Sequence, residues 1–503
     1  MKRKIAMLLS IFLILTLCSC AAKETDAPAE TENTIVEISR GDSGEDTNKL
    51  AASAVAYTDS FQSADGSVSI EINLDDTSLY EGGFRTLQIT PRPFTGEEVQ
   101  HIARVLFGDA VFYEYIFCRE YTKAELEEQR AFWQALLERE DLDELHCVLG
   151  TDGELRKTIE TSLEKHKVEA APEEIERTIC DFSLKPYAYY YEDQEENVMR
   201  VEAFSEIGGV PYRFRAENNT HGVRAFSISA WIGYDTVSPL GIREEVLKDK
   251  LLCVEKPDQN QIDAIREKAE KIIAELGMGQ WQIDQCQCKE KTGLEWGTRY
   301  SIKITAVPVY NGIPLLRQEQ PYTLRGTEEG IQNCNYPDLA LSFAPDGTLL
   351  TFSLNTPVDI LAVSGEESRM MSFSELMGSV KTQFSLPSAD EYFMSYYAWD
   401  HSTAEVLIDK IVLGYDMLAL NNVPGETVEY CGTELTVNNS DFVLVPAVAI
   451  YGNYRLYETS PEEENAFDYR EDTGEDALFT ILNASNGSMI APKNSMQILP
   501  VVG

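Results

Sequence analysis

Two cysteines one residue apart, Cys286 and Cys288, form the pair whose type and spacing most suggest chemistry. Side chains two positions apart on a β-strand point to the same face, so both thiols would lie together. Thiolates arranged in this way can hold Zn²⁺ or Cu⁺ when a further ligand, such as Cys334 or a histidine, completes the site. No C-x-x-C motif occurs, and no histidine lies close to the pair in sequence. Cys286 and Cys288 are therefore weak metal candidates, and buried thiols or disulfides are the favoured interpretation.

The histidines and the usual nucleophile motifs predict no catalytic site. No H-E-x-x-H or H-x-H arrangement includes any of the five histidines, which are His101, His146, His166, His221 and His401. The G-x-S-x-G elbow, the P-loop and the G-x-G-x-x-G motif are missing as well. We therefore expect no catalytic residue, no cofactor and no enzymatic activity.

An acidic run, Glu458–Asp476, contains nine acidic residues and a single arginine. Carboxylates can bind Ca²⁺, but this run lacks the Asp-x-Asp-x-Asp-Gly spacing of an EF-hand loop. A charged run between two predicted strands is more typical of a solvated hairpin loop. We favour the loop and leave cation binding by residues 458–476 open.

Two tyrosine-rich clusters are candidates for a binding surface. They comprise Tyr187, Tyr189, Tyr190 and Tyr191, and then Tyr392, Tyr396, Tyr397 and Trp399. Aromatic residues are ordinary strand formers, so the favoured interpretation is that these rings divide between a core and an exposed sheet face. The alternative is an exposed aromatic row that stacks on sugars or receives a peptide.

The first twenty residues predict where the chain works. A basic start at residues 2–4 precedes the apolar segment Ile5–Leu17, which suits a signal peptide and is short for a transmembrane helix. The segment ends in Leu-Cys-Ser-Cys20, which resembles a bacterial lipobox. The resemblance implies that Cys20 receives a diacylglyceryl thioether. This lipid would anchor the protein at the extracellular face of the cytoplasmic membrane.

The charge of the chain is strongly acidic, with 84 Asp and Glu against 42 Lys and Arg and a net charge of −42. Such a field repels nucleic acid and anionic lipid headgroups, so we expect neither as a direct partner. Solubility outside the cell is the favoured explanation of the charge, and capture of cations or basic ligands is the alternative.

The length of 503 residues favours about three domains. Residues 20–50 are polar and acidic, as expected of a flexible tether that follows a lipid anchor. The predicted organisation is a signal peptide (1–19), a lipidated acidic tether (20–50), an N-terminal α+β region (51–245), a middle α+β module (255–370) and a C-terminal α+β module (371–503).

Helix and turn signals recur along these segments. N-terminal capping residues predict helices that begin after Thr95, Thr122, Asp258 and Ser372. We also expect a helix from about Asp152 to Lys167 and a short one after Pro172. Asp346-Gly347 predicts a type I′ hairpin, and Asn486-Gly487 predicts a final hairpin.

An internal repeat links the first two predicted units. Residues 201–215 and 304–317 both contain an alanine followed by a glycine, a β-branched residue and a proline, with the glycines at Gly209 and Gly312. This pattern indicates a strand, a tight turn and a partner strand. A helix followed by antiparallel strands recurs about three times, which predicts an α+β fold of tandem helix-on-sheet modules.

These motifs carry a family resemblance. Asn-Gly-Ile-Pro314, Ile-Val-Leu-Gly-Tyr415, Leu-Val-Pro446 and Asn-Ala-Ser-Asn-Gly487, with the lipobox, resemble uncharacterised clostridial-type Firmicutes lipoproteins of a family of unknown function. The C-terminal half, about Asp258–Pro492, also resembles the extracellular modules that restrain a Gram-positive sensor kinase. Those modules are similar to PepSY and cystatin-like domains. Such regulators carry an N-terminal transmembrane helix, whereas this chain has a lipobox.

The favoured function is therefore a lipid-anchored, non-enzymatic envelope protein that binds or regulates another envelope protein or a peptide. A lipoprotein that captures a solute or peptide for a transporter is the alternative, although such receptors usually show alternating β and α elements in two lobes. An envelope hydrolase is disfavoured because no nucleophile or metal motif is present.

Overall fold

The structure is a computed structural model, and its described residues all belong to the compact unit Ile35–Gly503. The described residues are 36–37, 56–64, 66, 68–75, 84–115, 121–139, 155–165, 168–187, 198–220, 223–233, 251–252, 255–293, 297–316, 333–334, 336–363, 367, 370–385, 403–419, 427–430, 433–436, 442–458 and 470–491. The predicted signal peptide and Cys20 lie outside these ranges.

Five α-helices lie within the described residues: α1 (Gly96–Phe107), α2 (Lys123–Leu137), α3 (Leu155–Lys165), α4 (Gln259–Leu276) and α5 (Phe373–Ser385). A 3₁₀ turn covers Val168–Ala170. The predicted helix starts are confirmed at Thr95, Thr122, Asp258 and Ser372. Each N-cap side chain accepts a hydrogen bond from the backbone N–H three residues later, which satisfies a donor that the first turn leaves free.

The strands are numbered in chain order. They are β1 (Val36–Glu37), β2 (Tyr57–Gln62), β3 (Val68–Leu74), β4 (Leu87–Pro91), β5 (Tyr113–Glu114), β6 (Lys185–Pro186), β7 (Val198–Ile207), β8 (Val210–Asn219), β9 (Val223–Ile232), β10 (Gln280–Gly293), β11 (Gly297–Tyr310), β12 (Ile313–Pro314), β13 (Asn333–Cys334), β14 (Asp338–Phe343), β15 (Leu349–Asn355), β16 (Val358–Val363), β17 (Thr403–Ala419), β18 (Thr427–Tyr430), β19 (Thr433–Thr436), β20 (Phe442–Glu458), β21 (Arg470–Asn483) and β22 (Met489–Ala491).

An eleven-stranded sheet has the order β10-β11-β14-β15-β9-β8-β7-β5, with β12, β13 and β6 beside β11, β9 and β7. Alternate residues of these strands form one apolar face, because side chains two apart share a side. Helices α1 and α4 pack on that face, and their Val99 and Ile265 join Phe214, Ile228 and Ile304 in one core. The opposite face of the sheet is polar and carries the candidate site.

A nine-stranded sheet has the order β1-β16-β4-β20-β17-β3-β2, with β21 beside β20 and β22 beside β21. Helix α5 packs on it through Leu376, Val380 and Phe384, which contact a core that includes Ile70 and Ile450. The N-terminal strand β3 pairs with β17 in parallel, whereas β17 and β20 form a long antiparallel pair. A separate two-stranded sheet contains β18 and β19.

The two large sheets meet at the segment after β12. Leu315 forms a parallel bridge with Tyr415 of β17, and the N–H of Leu316 donates a hydrogen bond to the carbonyl of Tyr415 at 2.7 Å. The Tyr415 hydroxyl donates to the carbonyl of Arg85 at 2.7 Å. An apolar cluster containing Val307, Leu315 and Leu444 fills this junction.

Two of the predicted turns are confirmed as two-residue hairpins. Gly208-Gly209 joins β7 to β8, and Asn311-Gly312 joins β11 to β12. All four residues have positive φ, as type I′ turns require.

The type I′ prediction at Asp346-Gly347 is wrong, although the hairpin itself is present. Of these two residues only Gly347 has a positive φ, and its N–H bonds to the carbonyl of Ala344 at 2.8 Å. Pro345 occupies the first central position of the turn, where its ring fixes a negative φ. The result is a turn followed by a left-handed glycine and a register shift beside Phe343.

The short helix expected after Pro172 is also wrong, because residues 173–180 are not helical. The chain there runs beside β5, where the N–H of Glu114 bonds to the carbonyl of Thr178 and the N–H of Cys180 bonds to the carbonyl of Phe112. Pairing with a distant strand thus overrides the local signal of Pro-Glu-Glu.

The prediction of an α+β fold is confirmed by these helices and sheets. Strand pairing crosses the predicted segments, since β9 pairs with β15 and β4 pairs with β20. The predicted domain boundaries themselves stay predictions.

Candidate functional site

The candidate site is the polar face of the eleven-stranded sheet near β5, which we call the arginine–aromatic face. It comprises Tyr113, Tyr115, Arg177, Tyr187, Arg200, Glu202, Phe204, Arg213, Arg215, Glu217 and Trp231. These residues come from β5, β7, β8, β9 and the chain around β6.

Strand alternation explains why these side chains gather. Val201 and Ala203 of β7 enter the core, so Arg200, Glu202 and Phe204 point to the other face. The register then places Arg200 opposite Glu217, Glu202 opposite Arg215, and Phe204 opposite Arg213. Trp231 of β9 follows Arg213 in the same row. Oppositely charged and aromatic side chains are therefore cross-strand neighbours, which stabilises the sheet.

Arg213 lies at the centre of the face. Its guanidinium carbon is 4.1 Å from the ring centroid of Tyr115 and 5.2 Å from that of Trp231. One guanidinium nitrogen donates to the carboxylate of Glu202. The Nε atom is buried and has no hydrogen-bond partner among the described residues. Two rings and one carboxylate thus hold the guanidinium in a single orientation.

Arg200 and Arg215 share the carboxylate of Glu217. The Nε of Arg200 and one terminal nitrogen of Arg215 each donate to the same Glu217 oxygen at 2.7 Å. Burial by itself raises the pKa of Glu217, but the hydrogen bond from Arg215 and the charges of both arginines outweigh it, so the pKa is lowered. The guanidinium of Arg200 also stacks on Tyr187 at 3.8 Å.

Arg177 extends the face toward the sheet edge. Its guanidinium carbon lies 5.1 Å from the Phe204 ring centroid and 5.7 Å from that of Tyr113, and it pairs with Glu125 of α2. Val111 (51%) and Ile179 (67%) are exposed beside β5, and Tyr187 (36%) is exposed beside the start of β7.

The chemistry of this arrangement is recognition. Arg213 donates to the carboxylate of Glu202 from one guanidinium nitrogen, and a guanidinium has five N–H groups. Arginine bound in this way can receive a planar carboxylate or a carbonyl from a partner. Among the described residues, the four arginines of the face pair with the carboxylates of Glu125, Glu202 and Glu217.

The cysteine pair lies elsewhere on the sheet. Cys286 and Cys288 are neighbours on β10, opposite Ile304 and Ile302 of β11, and both are free thiols. Burial raises the pKa of both thiols, so both are poor thiolate ligands at neutral pH.

The proposed third cysteine ligand is not near this pair. Cys334 belongs to β13, which pairs with β9, and β11, β14 and β15 separate β9 from β10. Neighbouring strands lie about 4.8 Å apart, so β9 is about 19 Å from β10. Across the described residues, no group of three or more His, Cys, Asp or Glu side chains could hold a metal ion.

The other candidates are only partly placed. Tyr187 joins the arginine–aromatic face, whereas Tyr189, Tyr190 and Tyr191, the second aromatic cluster and most of the acidic run lie outside the described residues. The described histidine, His101, forms a 2.8 Å hydrogen bond to the carbonyl of Glu275 and links α1 to α4.

The arginines were missed by the sequence analysis. Their signal was present, because Arg200, Glu202 and Phe204 alternate on one predicted strand, and Arg213, Arg215 and Glu217 alternate on the next. Alternating charged residues on neighbouring hairpin strands predict a paired polar face. The stacking rings Tyr113 and Tyr115 come from a distant segment that this alternation does not reveal.

No helix within the described ranges is both long enough and apolar enough to cross a membrane. No protein-family model matches the chain, and no curated protein matches it. Among solved structures, the chain is similar to an uncharacterized protein from Eubacterium rectale ATCC 33656, with 10% sequence identity and a TM-score of 0.34. The similarity covers 84% of this chain and 91% of that protein. This similarity assigns no family to the chain.

Proposed function

We propose that this chain is a lipid-anchored envelope protein without enzymatic activity, which binds and regulates another envelope protein or a peptide through the arginine–aromatic face. The observation that supports this proposal is the set of arginines held between aromatic rings on one sheet face. Arg, Tyr and Trp are the residues that most often dominate binding energy at protein interfaces.

Pre-organisation is the second part of the argument. A long arginine side chain normally loses rotamer freedom when it binds a partner, which costs about 0.5–1.5 kcal/mol per side chain. Arg213 is already held by Tyr115, Trp231 and Glu202, so most of that cost has been met in the folded chain. The exposed Val111 and Ile179 at the adjacent edge would add apolar contact area.

The proposed architecture is a set of about three helix-on-sheet units of PepSY or cystatin-like type, headed by α1, α4 and α5. Its support is the packing of α1 and α4 on the eleven-stranded sheet and of α5 on the nine-stranded sheet. The type I′ turns at Gly208-Gly209 and Asn311-Gly312 each close a hairpin of the eleven-stranded sheet. The units would share sheets rather than stand apart.

The proposed anchor is a lipid on Cys20, which would place the body on the extracellular face of the cytoplasmic membrane beyond the acidic tether. Replacing Cys20 with alanine should leave the protein unlipidated, because no thiol would remain to form the thioether. We expect loss of lipid labelling and loss of partition into a detergent phase. Unchanged partition of the Cys20→Ala protein would contradict the anchor.

Photo-crosslinking on intact cells tests the binding function. Thr351 is exposed and lies opposite Trp231 in the register, so a photoreactive residue there lies beside the arginine–aromatic face. We expect one defined envelope protein or peptide to be captured from Thr351. A matched probe at Glu267, exposed on α4 on the other side of the sheet, should not capture it. Equal capture from both positions, or none from Thr351, would argue against the face as the binding site.

A further inference from the structure

Among the described residues, the outermost backbone beside β5 is the segment Thr178–Cys180, which we call the edge segment. Ile179 forms an antiparallel bridge with Tyr113 of β5. The flanking bonds run from the N–H of Glu114 to the carbonyl of Thr178 and from the N–H of Cys180 to the carbonyl of Phe112, both at 2.9 Å. The edge segment therefore extends the eleven-stranded sheet by one isolated antiparallel bridge.

The backbone groups of Ile179 point away from the sheet. In antiparallel pairing, flanking bonds of this kind define a non-hydrogen-bonded pair, so the N–H and carbonyl of Ile179 face outward. Neither group has a hydrogen-bond partner in the part of the chain that the structure describes. The side chain of Ile179 is 67% exposed. One donor, one acceptor and one β-branched side chain are thus presented together at a sheet edge.

The opposite edge of the same sheet carries two protective features that the edge segment lacks. β10 has a register shift between Ile283 and Gln285, and it carries Lys289 and Lys291. Bulges and lysines are the common devices that prevent edge-to-edge pairing. The edge segment contains neither a lysine nor a bulge.

The residues that flank Ile179 are complementary to themselves. A two-fold axis through Ile179 would place Ile179 opposite its own copy, with the outward N–H and carbonyl of each bonding to the other. The same register places Arg177 opposite Asp181 of the second copy, and Asp181 opposite Arg177 of the second copy. Arg177 and Asp181 both lie within the described range 168–187. The N–H of Ser183 donates a hydrogen bond to the Asp181 carboxylate at 2.9 Å, which holds that side chain at the edge. Opposite charges directly across a strand pair stabilise it.

We propose that the edge segment is a homodimer interface, in which two copies of this chain pair antiparallel about Ile179 and join their eleven-stranded sheets into one. We assign the edge to a second copy because the two-fold register places Arg177 and Asp181 of each copy opposite a residue of the other sign, while Arg177 keeps its pair with Glu125. This inference goes beyond the proposed function and does not depend on it.

The dimer would place two arginine–aromatic faces on the same side of the joined sheet. Paired residues of a strand pair share a face, and Ile179 pairs with Tyr113, so the Ile179 side chain lies on the arginine–aromatic side. Val111, two residues before Tyr113 and 51% exposed, lies on the same side. The two copies would thus bury exposed apolar side chains at the seam.

A charge swap across the two-fold axis tests the interface. The full-length chain in mild detergent is measured by native mass spectrometry as wild type, as Arg177→Asp and as Asp181→Arg. We expect wild type to dimerise and each variant alone to dimerise roughly tenfold or more weakly, because like charges would then face each other twice. An equimolar mixture of the two variants should dimerise again, because both carboxylates of one variant would then face both guanidinium groups of the other.

Matched controls make the result decisive. Arg266→Asp removes an exposed arginine that pairs with Glu270 of the same helix, α4, and it should dimerise like wild type. A monomeric wild type, an Asp181→Arg variant that dimerises like wild type, or a mixture that stays monomeric would each overturn the interface. Recovery in the mixture also shows that both variants are folded.

Discussion

Replacing Gly452 with alanine should remove most of the stability of the nine-stranded sheet, with an expected loss of about 4 kcal/mol or more. Gly452 lies on β20 opposite Ile408 of β17, beside the register shift between Ile408 and Lys410. A Cβ at Gly452 would overlap the carbonyl oxygen of Leu407 and lie 2.9 Å from a ring carbon of Phe479. Leu407 belongs to a central strand, so its backbone cannot move aside without breaking the pairing of β17 with β20. The measurement is the midpoint of urea unfolding followed by far-UV circular dichroism.

The matched control for this substitution is Gly378→Ala. Gly378 lies on the exposed side of α5, and a Cβ there would meet nothing within 4 Å. Alanine favours a helix over glycine by up to about 1 kcal/mol, so this variant should unfold at a slightly higher urea concentration. If Gly452→Ala unfolded at the wild-type midpoint, the described packing between β17 and β20 would be wrong.

Replacing Arg200 with alanine should cost about 3 kcal/mol, because it leaves a largely buried carboxylate with one fewer partner. The side chain of Arg200 is 6% exposed and that of Glu217 is 11% exposed. Arg215 still bonds to Glu217 in this variant, which places the expected cost at the low end of the range for a broken buried pair. Tyr187 would also lose its stacking partner. The same urea midpoint reports the loss.

The double variant Arg200→Met with Glu217→Leu separates packing from charge. Apolar side chains of similar volume avoid the desolvation of two charges, so most of the lost stability should return. Arg215, whose side chain is 34% exposed, would then be solvated without Glu217. If the double variant were less stable than Arg200→Ala, the loss of stability in Arg200→Ala would come from lost packing rather than from an unpaired carboxylate.

The pH dependence of stability gives a second readout for the Arg200 variant. The pKa of Glu217 is lowered in the folded chain, so its charge stabilises the fold above the ordinary pKa of glutamate, about 4.3. That stabilisation is lost as the pH falls through the lowered pKa. Without Arg200 the pKa of Glu217 is lowered less, so Arg200→Ala should lose less stability than wild type on acidification from neutral pH.

Local chemistry explains which elements could be predicted. Thr95 with Glu98 and Thr122 with Glu125 form capping boxes from residues three apart, so those helix starts depend on nothing distant. The turns at Gly209 and Gly312 follow in the same way from the need for positive φ. The prediction of a type I′ turn at Asp346-Gly347 failed because Pro345 changes which residues occupy the two central positions of the turn.

Long-range pairing explains what could not be predicted. The alternation in β3 predicts a strand with one buried face, but it does not indicate that β17 is its parallel partner. Residues after Pro172 carry a helical signal that pairing with β5 overrides. The arginine–aromatic face could be predicted only in part for the same reason. Arg213 and Glu202 are near in sequence, but Tyr115 reaches them only through the tertiary fold.

The central claim is that the arginine–aromatic face binds an envelope partner, and Arg213 is its most direct test. The measurement is the yield of the photo-crosslinked product from Thr351 on intact cells, compared between wild type, Arg213→Ala and the control Arg266→Ala. Arg266 is exposed on α4, away from the face. We expect Arg213→Ala to reduce the yield roughly tenfold, as loss of a hot-spot arginine would, while Arg266→Ala leaves it unchanged. A folded Arg213→Ala protein that captures the same partner at the wild-type yield would contradict the account.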